Sequence, residues 1–315
     1  MATTGKGRYK PVMSDATATV DDSRRQRVAL LALLAGAACI AFAPIFVRLS
    51  ELGPSASAFW RVCFAAPVLL LWLAIEQRRL GPAARRPASL RDWATLAGAG
   101  FFFATELAIW HWSITLTSVA NSTLFANFTP IFVTPVAWLL FGERIRPSFL
   151  LGLLLAIGGA ALLMGQSLTL SLDHLLGDAL GLVTAVFYGT YFLFVSRLRK
   201  VFSTATIMAW SAVITSLILI PTALLSGESL IASSLYGWSV LLGLALVSQC
   251  GGQSLIAYAF AHLPASFSSV ALLVQPALAA ILAWLLFGEA LGALQAAGAV
   301  IILAGIIIAR RASQG

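Results

Sequence analysis

Charge is what this chain has least of. Asp, Glu, Lys and Arg make up 10% of its 315 residues, while 60% are hydrophobic and the mean hydropathy is +0.93. A soluble fold of this length needs far more polar surface, so that class is excluded. Cysteine is scarce too. Cys39, Cys63 and Cys250 all fall in apolar runs, with neither metal spacing nor a disulfide framework. Period-2 alternation is missing, which argues against a transmembrane barrel. There is no His-Glu-x-x-His, no Gly-x-Ser-x-Gly and no Walker Gly-Lys-Ser/Thr stretch. The three histidines, His111, His174 and His262, lie in separate segments. Neither an enzyme, a metal centre nor a cofactor is expected.

What the chain does have is long apolar runs. Ten recur, at about 28–50, 55–76, 93–115, 118–141, 148–165, 177–197, 205–226, 237–261, 265–287 and 291–309. Each is long enough to cross a bilayer as a helix. Residues 1–27 are polar and mixed in charge, and are expected to form a disordered tail. Arg24-Arg25-Gln26-Arg27 precedes the first run as in a signal peptide. No small-residue cleavage site follows, so the run is expected to stay as the first helix.

The chain is also duplicated. Ala137-Trp138-Leu139-Leu140-Phe141-Gly142-Glu143 returns as Ala283-Trp284-Leu285-Leu286-Phe287-Gly288-Glu289. At the same offset Pro130 falls on Pro276, Gly152 on Gly298 and Gly159 on Gly305. The two units are 28–165 and 177–309, five helices each, with 310–315 as a closing tail. Five is odd, so the second unit enters the membrane from the other side. The expected fold is an all-α membrane protein of ten transmembrane helices in two inverted five-helix repeats.

The placement of charge agrees. Of 20 lysines and arginines, all but Arg48 and Arg61 lie in the two tails or in the loops after the second, fourth and sixth runs. The alternate loops carry none. The positive-inside rule then puts both termini in the cytoplasm. The formal charge of +8 thus reflects topology and does not imply nucleic acid. The expected partners are the lipid bilayer and a small-molecule substrate, and a monomer suffices.

Candidate binding residues follow from polarity at mid-membrane. Pro130 and Pro276 sit near the centres of helices four and nine. Each frees the carbonyl four residues earlier, at Ala126 and Leu272, and each follows a polar residue, Thr129 or Gln275. Matched interruptions in two inverted halves point to a transporter site. Thr123, Asn127 and Thr134 share a face with Pro130, and Asn127 needs a partner. Gln249 and Gln253 share a face of helix eight beside Gly251 and Gly252. Tyr188 and Tyr191 on helix six and Trp110 on helix three are aromatic wall candidates. Two charges lie well inside the spans, Arg61 and Glu106. From helical rise, they lie about 9 Å and about 10 Å from the same membrane boundary. They could pair with each other or serve substrate or proton, with His111 as a weaker relay partner.

Ten helices, the five-plus-five inversion and a Phe-Gly-Glu turn after helices four and nine resemble the drug/metabolite transporter superfamily, EamA type. Pro44-Ile45-Phe46-Val47-Arg48 and Trp110-His111-Trp112-Ser113-Ile114 are similar to that family as well. The resemblance implies a carrier of the bacterial inner membrane. Helices one, three, four, six, eight and nine would surround a central cavity, with five and ten peripheral. It further suggests the superfamily's aromatic amino-acid exporters, hence export of small metabolites, amino acids foremost. The alternatives are multidrug or other metabolite efflux, a lipid flippase and a passive channel. The small multidrug relatives carry an essential glutamate in their first helix, and this chain has none between Val28 and Ser50.

Overall fold

The computed structural model describes residues 13–117, 119–165, 172–288 and 292–314. Among them there is no strand. Ten helices are long and apolar enough to span a membrane: α1 (Arg24–Leu49), α2 (Pro54–Ala83), α3 (Leu90–Leu116), α4 (Asn121–Phe141), α5 (Pro147–Met164), α6 (Leu172–Leu198), α7 (Thr204–Leu225), α8 (Leu235–Ala259), α9 (Ala265–Phe287) and α10 (Ala293–Ser313). The helix carrying α1 reaches back to Met13, so 13–27 are helical where a disordered tail is expected. No Gly or Pro lies between Pro11 and Gly36 to stop it. Residues 1–12 of the expected tail lie outside the described residues.

The helix ends follow local chemistry. Pro54 and Pro147 open α2 and α5, where a missing N–H costs nothing. Ser89 and Asp92 form a capping box on α3, and Ser203 and Ser234 cap α7 and α8. The duplicated heptapeptide ends both α4 and α9 on a left-handed glycine, Gly142 at φ 68° and Gly288 at φ 69°.

The halves pack against each other. α5 lies on α10, α4 on α9 and α2 on α7, while α3 packs on α6 as α1 packs on α8. Exchanging the halves maps this pattern onto itself. At the α5–α10 seam the backbones touch. A Cβ on Gly159 would stand 2.8 Å from the Gly298 carbonyl oxygen, and one on Gly152 would stand 2.6 Å from that of Gly305. α5 and α10 contribute nothing to the central cavity.

Carboxylates tie the helices at their ends. In the α1–α2 loop, Glu51 accepts from Ser233 N (2.8 Å), Ser233 Oγ (2.8 Å) and Ser234 N (3.1 Å), and also from the Ser234 hydroxyl, at the start of α8. In the α7–α8 loop, Glu228 accepts from Ala56 N (2.8 Å) and Ser55 N (3.3 Å) at the start of α2. At the opposite, basic end, Glu143 of the first Phe-Gly-Glu turn accepts from Ala265 N (2.7 Å), Ser266 N (3.1 Å) and the Ser266 hydroxyl. Each carboxylate satisfies orphan N–H groups and meets the positive end of a helix dipole. Glu289, the repeat partner of Glu143, lies outside the described residues.

Candidate functional site

Four helices that reach the cavity depart from regular α geometry. α4 is broken between Ala126 and Thr129, and α9 between Ala271 and Val274, as the matched prolines predict. The freed carbonyls are not open to a ligand, however. Thr129 Oγ1 donates to Ala126 O at 2.8 Å, and Gln275 N donates to Leu272 O at 3.0 Å. α1 is broken at Phe42, where Pro44 enters the next turn. α8 widens into a ten-residue π-helix over Leu244–Gln253, the stretch that contains the glutamines and paired glycines. Such widenings are frequent at functional sites.

One cavity lies among these irregular segments, of about 150 Å³. At ~10–15 Å³ per water that is room for about ten waters, or a solute of similar heavy-atom count. α1 supplies Ile40, Pro44 and Val47, and α3 supplies Phe103, Glu106, Leu107 and Trp110. Thr123, Ala126 and Asn127 come from α4, and Gln275, Pro276 and Ala279 from α9. Tyr188 on α6, Gln253 on α8 and Arg61 on α2 complete the polar lining. α2 is therefore a seventh wall helix beyond the six implied by the family resemblance.

The cavity occupies the end of the bundle with the arginine-free loops. It is lined by the half of α4 before its break and the half of α9 after it. At the basic end the remaining halves close on each other: Thr129–Phe141 packs on Ala265–Ala271. All seven side chains of that α9 segment are buried, and Glu143 is bonded to its first turn.

The two intramembrane charges share the cavity without forming a direct bond. Arg61 Nε donates to Gln249 Oε1 at 3.0 Å, so its anchor is a glutamine on the π-helix and not Glu106. Its guanidinium lies 6.0 Å from the Phe103 ring centroid. Glu106 is 8% exposed, and its Oε2 is buried with no partner. Gln253 Oε1 and Gln275 Nε2 are also buried and unpartnered, while Gln253 Nε2 reaches the Tyr188 hydroxyl at 3.3 Å. Buried polar atoms without partners are costly. Three in one cavity, two acceptors and one donor, describe the complement of a ligand.

Other candidate residues lie elsewhere. Tyr191 is in the core behind Tyr188, stacked parallel to it at 6.2 Å, with its hydroxyl toward Met208 Sδ. Thr129 and Pro130 are buried at the α4–α6 contact, where Thr129 also donates to Ala185 O at 3.3 Å. His111 is buried, is bonded to the Leu107 carbonyl, and does not line the cavity. Asn127 finds its partner within its own helix, donating to Thr123 O at 2.8 Å. Asn127, Gln253, Gln275, Pro276, Trp110 and Tyr188 are brought together with Arg61 and Glu106. Gln249 as the arginine's anchor and Pro44 as a wall are the residues that sequence patterning underweights. At the repeat offset Gln249 falls on Phe103 and Pro44 on Thr190, so the duplication gives no matched pair to flag either one.

A ten-helix bundle with an internal two-fold and a polar cavity between its halves is the architecture of a membrane transporter. The chain belongs to the EamA-like transporter family, whose model matches residues 27–165 and again 175–311. It is 26% identical over 283 residues to the pseudopaline exporter of Pseudomonas aeruginosa, covering 90% of this chain and 96% of that one. It is 28% identical over 229 residues to an uncharacterized transporter of Archaeoglobus fulgidus, covering 71% and 81%. A solved crystal structure superposes with a TM-score of 0.77 over 91% of this chain and 97% of that one, at 16% identity. That last likeness is one of fold.

Proposed function

We propose that this protein is a secondary carrier of the bacterial inner membrane. It exports small zwitterionic metabolites, amino acids with apolar or aromatic side chains foremost, by alternating access. The observation that carries this is the set of unmet groups in the cavity. Glu106 Oε2 and Gln253 Oε1 suit an ammonium group. Gln275 Nε2, together with the part of the Arg61 guanidinium not used by Gln249, suits a carboxylate. Phe103, Trp110 and Tyr188 supply apolar surface for a side chain. A polyanion would want several cations, and the cavity has one. A lipid is too large for it.

The two-fold packing supports the alternating-access part. The halves of α4 and α9 that meet at the basic end have counterparts at the other end, so a rocking motion can exchange which end is closed. The arginine asymmetry supports an orientation with both termini and the closed end in the cytoplasm. The pseudopaline exporter's name supports the outward direction. Cysteine at Ser229 is then labelled from outside intact cells and cysteine at Ser89 is not.

The deciding experiment is counterflow in proteoliposomes with labelled phenylalanine, methionine and threonine beside ethidium and a hexose phosphate. Exchange of amino acids alone is the expected result. Exchange of ethidium with none of the amino acids sinks the assignment in favour of multidrug efflux.

A further inference from the structure

A second pocket opens at the basic end of the bundle, away from the central cavity. The start of α1, the end of α10 and the α8–α9 turn form its walls, with Gln26, Arg27, Leu263, Phe267, Arg310 and Ser313 among its lining. It measures about 440 Å³, room for a phosphodiester headgroup and its waters. Two arginines from opposite ends of the sequence converge on it. Neither side chain has a partner among the described residues, and no acidic residue lines the pocket. The nearby carboxylate of Glu143 is committed to Ala265 and Ser266.

The depth of the two arginines is informative. Arg27 immediately precedes the apolar run that opens at Val28, and Arg310 immediately follows the one that closes at Ala309. Both guanidiniums therefore stand where the apolar band ends, at the level of headgroup phosphates. Leu263 and Phe267 give the pocket an apolar side, which a soluble anion would not use and the glycerol end of a lipid would.

We propose that this pocket binds the headgroup of an anionic phospholipid through Arg27 and Arg310. The occupant would rest against Pro264 and Phe267, which lead into the buried half of α9.

The test uses the purified full-length protein in neutral detergent, followed by thermal unfolding. It is titrated with dioctanoylphosphatidylglycerol, dioctanoylphosphatidylcholine and glycerol 3-phosphate. The phosphatidylglycerol alone should raise Tm, saturably. Near a membrane surface each arginine is worth about fivefold in affinity, so Arg27→Gln/Arg310→Gln should move the midpoint about twenty-five-fold. An equal response to phosphatidylcholine overturns the proposal, as does a matching response to glycerol 3-phosphate. So does a midpoint unchanged in the double variant. Should that variant fail to fold, salt decides the matter on the parent protein. Its midpoint must weaken as NaCl rises, because these charges are screened, and a salt-independent midpoint overturns the proposal. None of these readouts involves transport, so they stand apart from the substrate assignment.

Discussion

Glu143→Ala should release the basic end of the bundle. Its carboxylate holds Ala265 N, Ser266 N and the Ser266 hydroxyl, three donors at the first turn of the segment that closes on α4. Losing a helix cap costs about 0.5–2 kcal/mol, and the partly buried dipole contact adds up to about 1 kcal/mol. A net change of about 2 kcal/mol in favour of opening is a factor of about thirty in population, since 1.4 kcal/mol is tenfold. A cysteine at Ser269 reports this state, because Ser269 is 2% exposed and lies in the closing segment. In a background lacking Cys39, Cys63 and Cys250, an impermeant maleimide applied to inside-out vesicles should label Ser269→Cys about thirtyfold faster once Glu143 is removed. Ser266→Ala removes one donor of the three and should give a smaller increase. An unchanged rate in Glu143→Ala refutes the reasoning. Equal acceleration from both faces also refutes it, because it would signal loss of structure and not opening of one end.

Glu106→Gln should leave Tm unchanged or raised, because Glu106 Oε2 has no partner to lose, while weakening substrate binding about ten- to a hundredfold, the worth of one charged hydrogen bond. Arg61→Gln should instead lower stability by about 1–3 kcal/mol, since Gln249 Oε1 loses its donor; a stable Arg61 variant beside an unstable Glu106 variant would reverse the assignment. Gly159→Val should destabilise by about 1–3 kcal/mol or more in detergent melts, because its Cβ meets backbone that cannot move aside. Gly158→Ala, with open space around it, should stabilise by about 0.5–1 kcal/mol. Bonds from the Ser234 and Ser233 hydroxyls hold the Glu51 carboxyl below the usual carboxylate range. Its contribution is therefore present above the ordinary carboxylate pKa and lost as pH falls through the lowered one. Tm measured against pH should show that acid loss in the parent and a flatter curve in Glu51→Gln; parallel curves would remove Glu51 from the acid response.

Much of the fold could be read from sequence because a membrane restricts the choices. The ten spans, the duplication and the broken centres of α4 and α9 follow from run length, an identical heptapeptide repeat and two prolines. What chain period could not show is where helices stop being regular. α8 becomes a π-helix over Leu244–Gln253, and within it Gln249 accepts from Arg61 Nε while Gln253 lines the cavity. Equal depth for Arg61 and Glu106 did not become an ion pair because depth along the bilayer leaves open which helix supplies the neighbour, and here Gln249 of α8 takes the arginine. Tyr188 and Tyr191, three apart on α6, diverge to cavity and core, a distinction that depends on Phe103 and Met208 from other helices. The carbonyls at Ala126 and Leu272 looked available because the proline rule counts lost bonds; the local donors Thr129 Oγ1 and Gln275 N replace them.

The glycine seam has a consequence for how such a chain could arise. Gly152 meets Gly305 and Gly159 meets Gly298. In the repeat, Gly305 is the copy of Gly159, and Gly298 the copy of Gly152. Each position therefore touches the other position's copy, which is the pattern of an isologous interface, a surface complementary to itself. A single five-helix unit already carries both sides of this contact. Two separate copies inserted in opposite orientations could have met through it before any linker joined them. Fusion would then have changed the mutational rule at the seam: in a pair of identical chains one altered glycine appears twice, whereas here it appears once, against a partner free to change on its own.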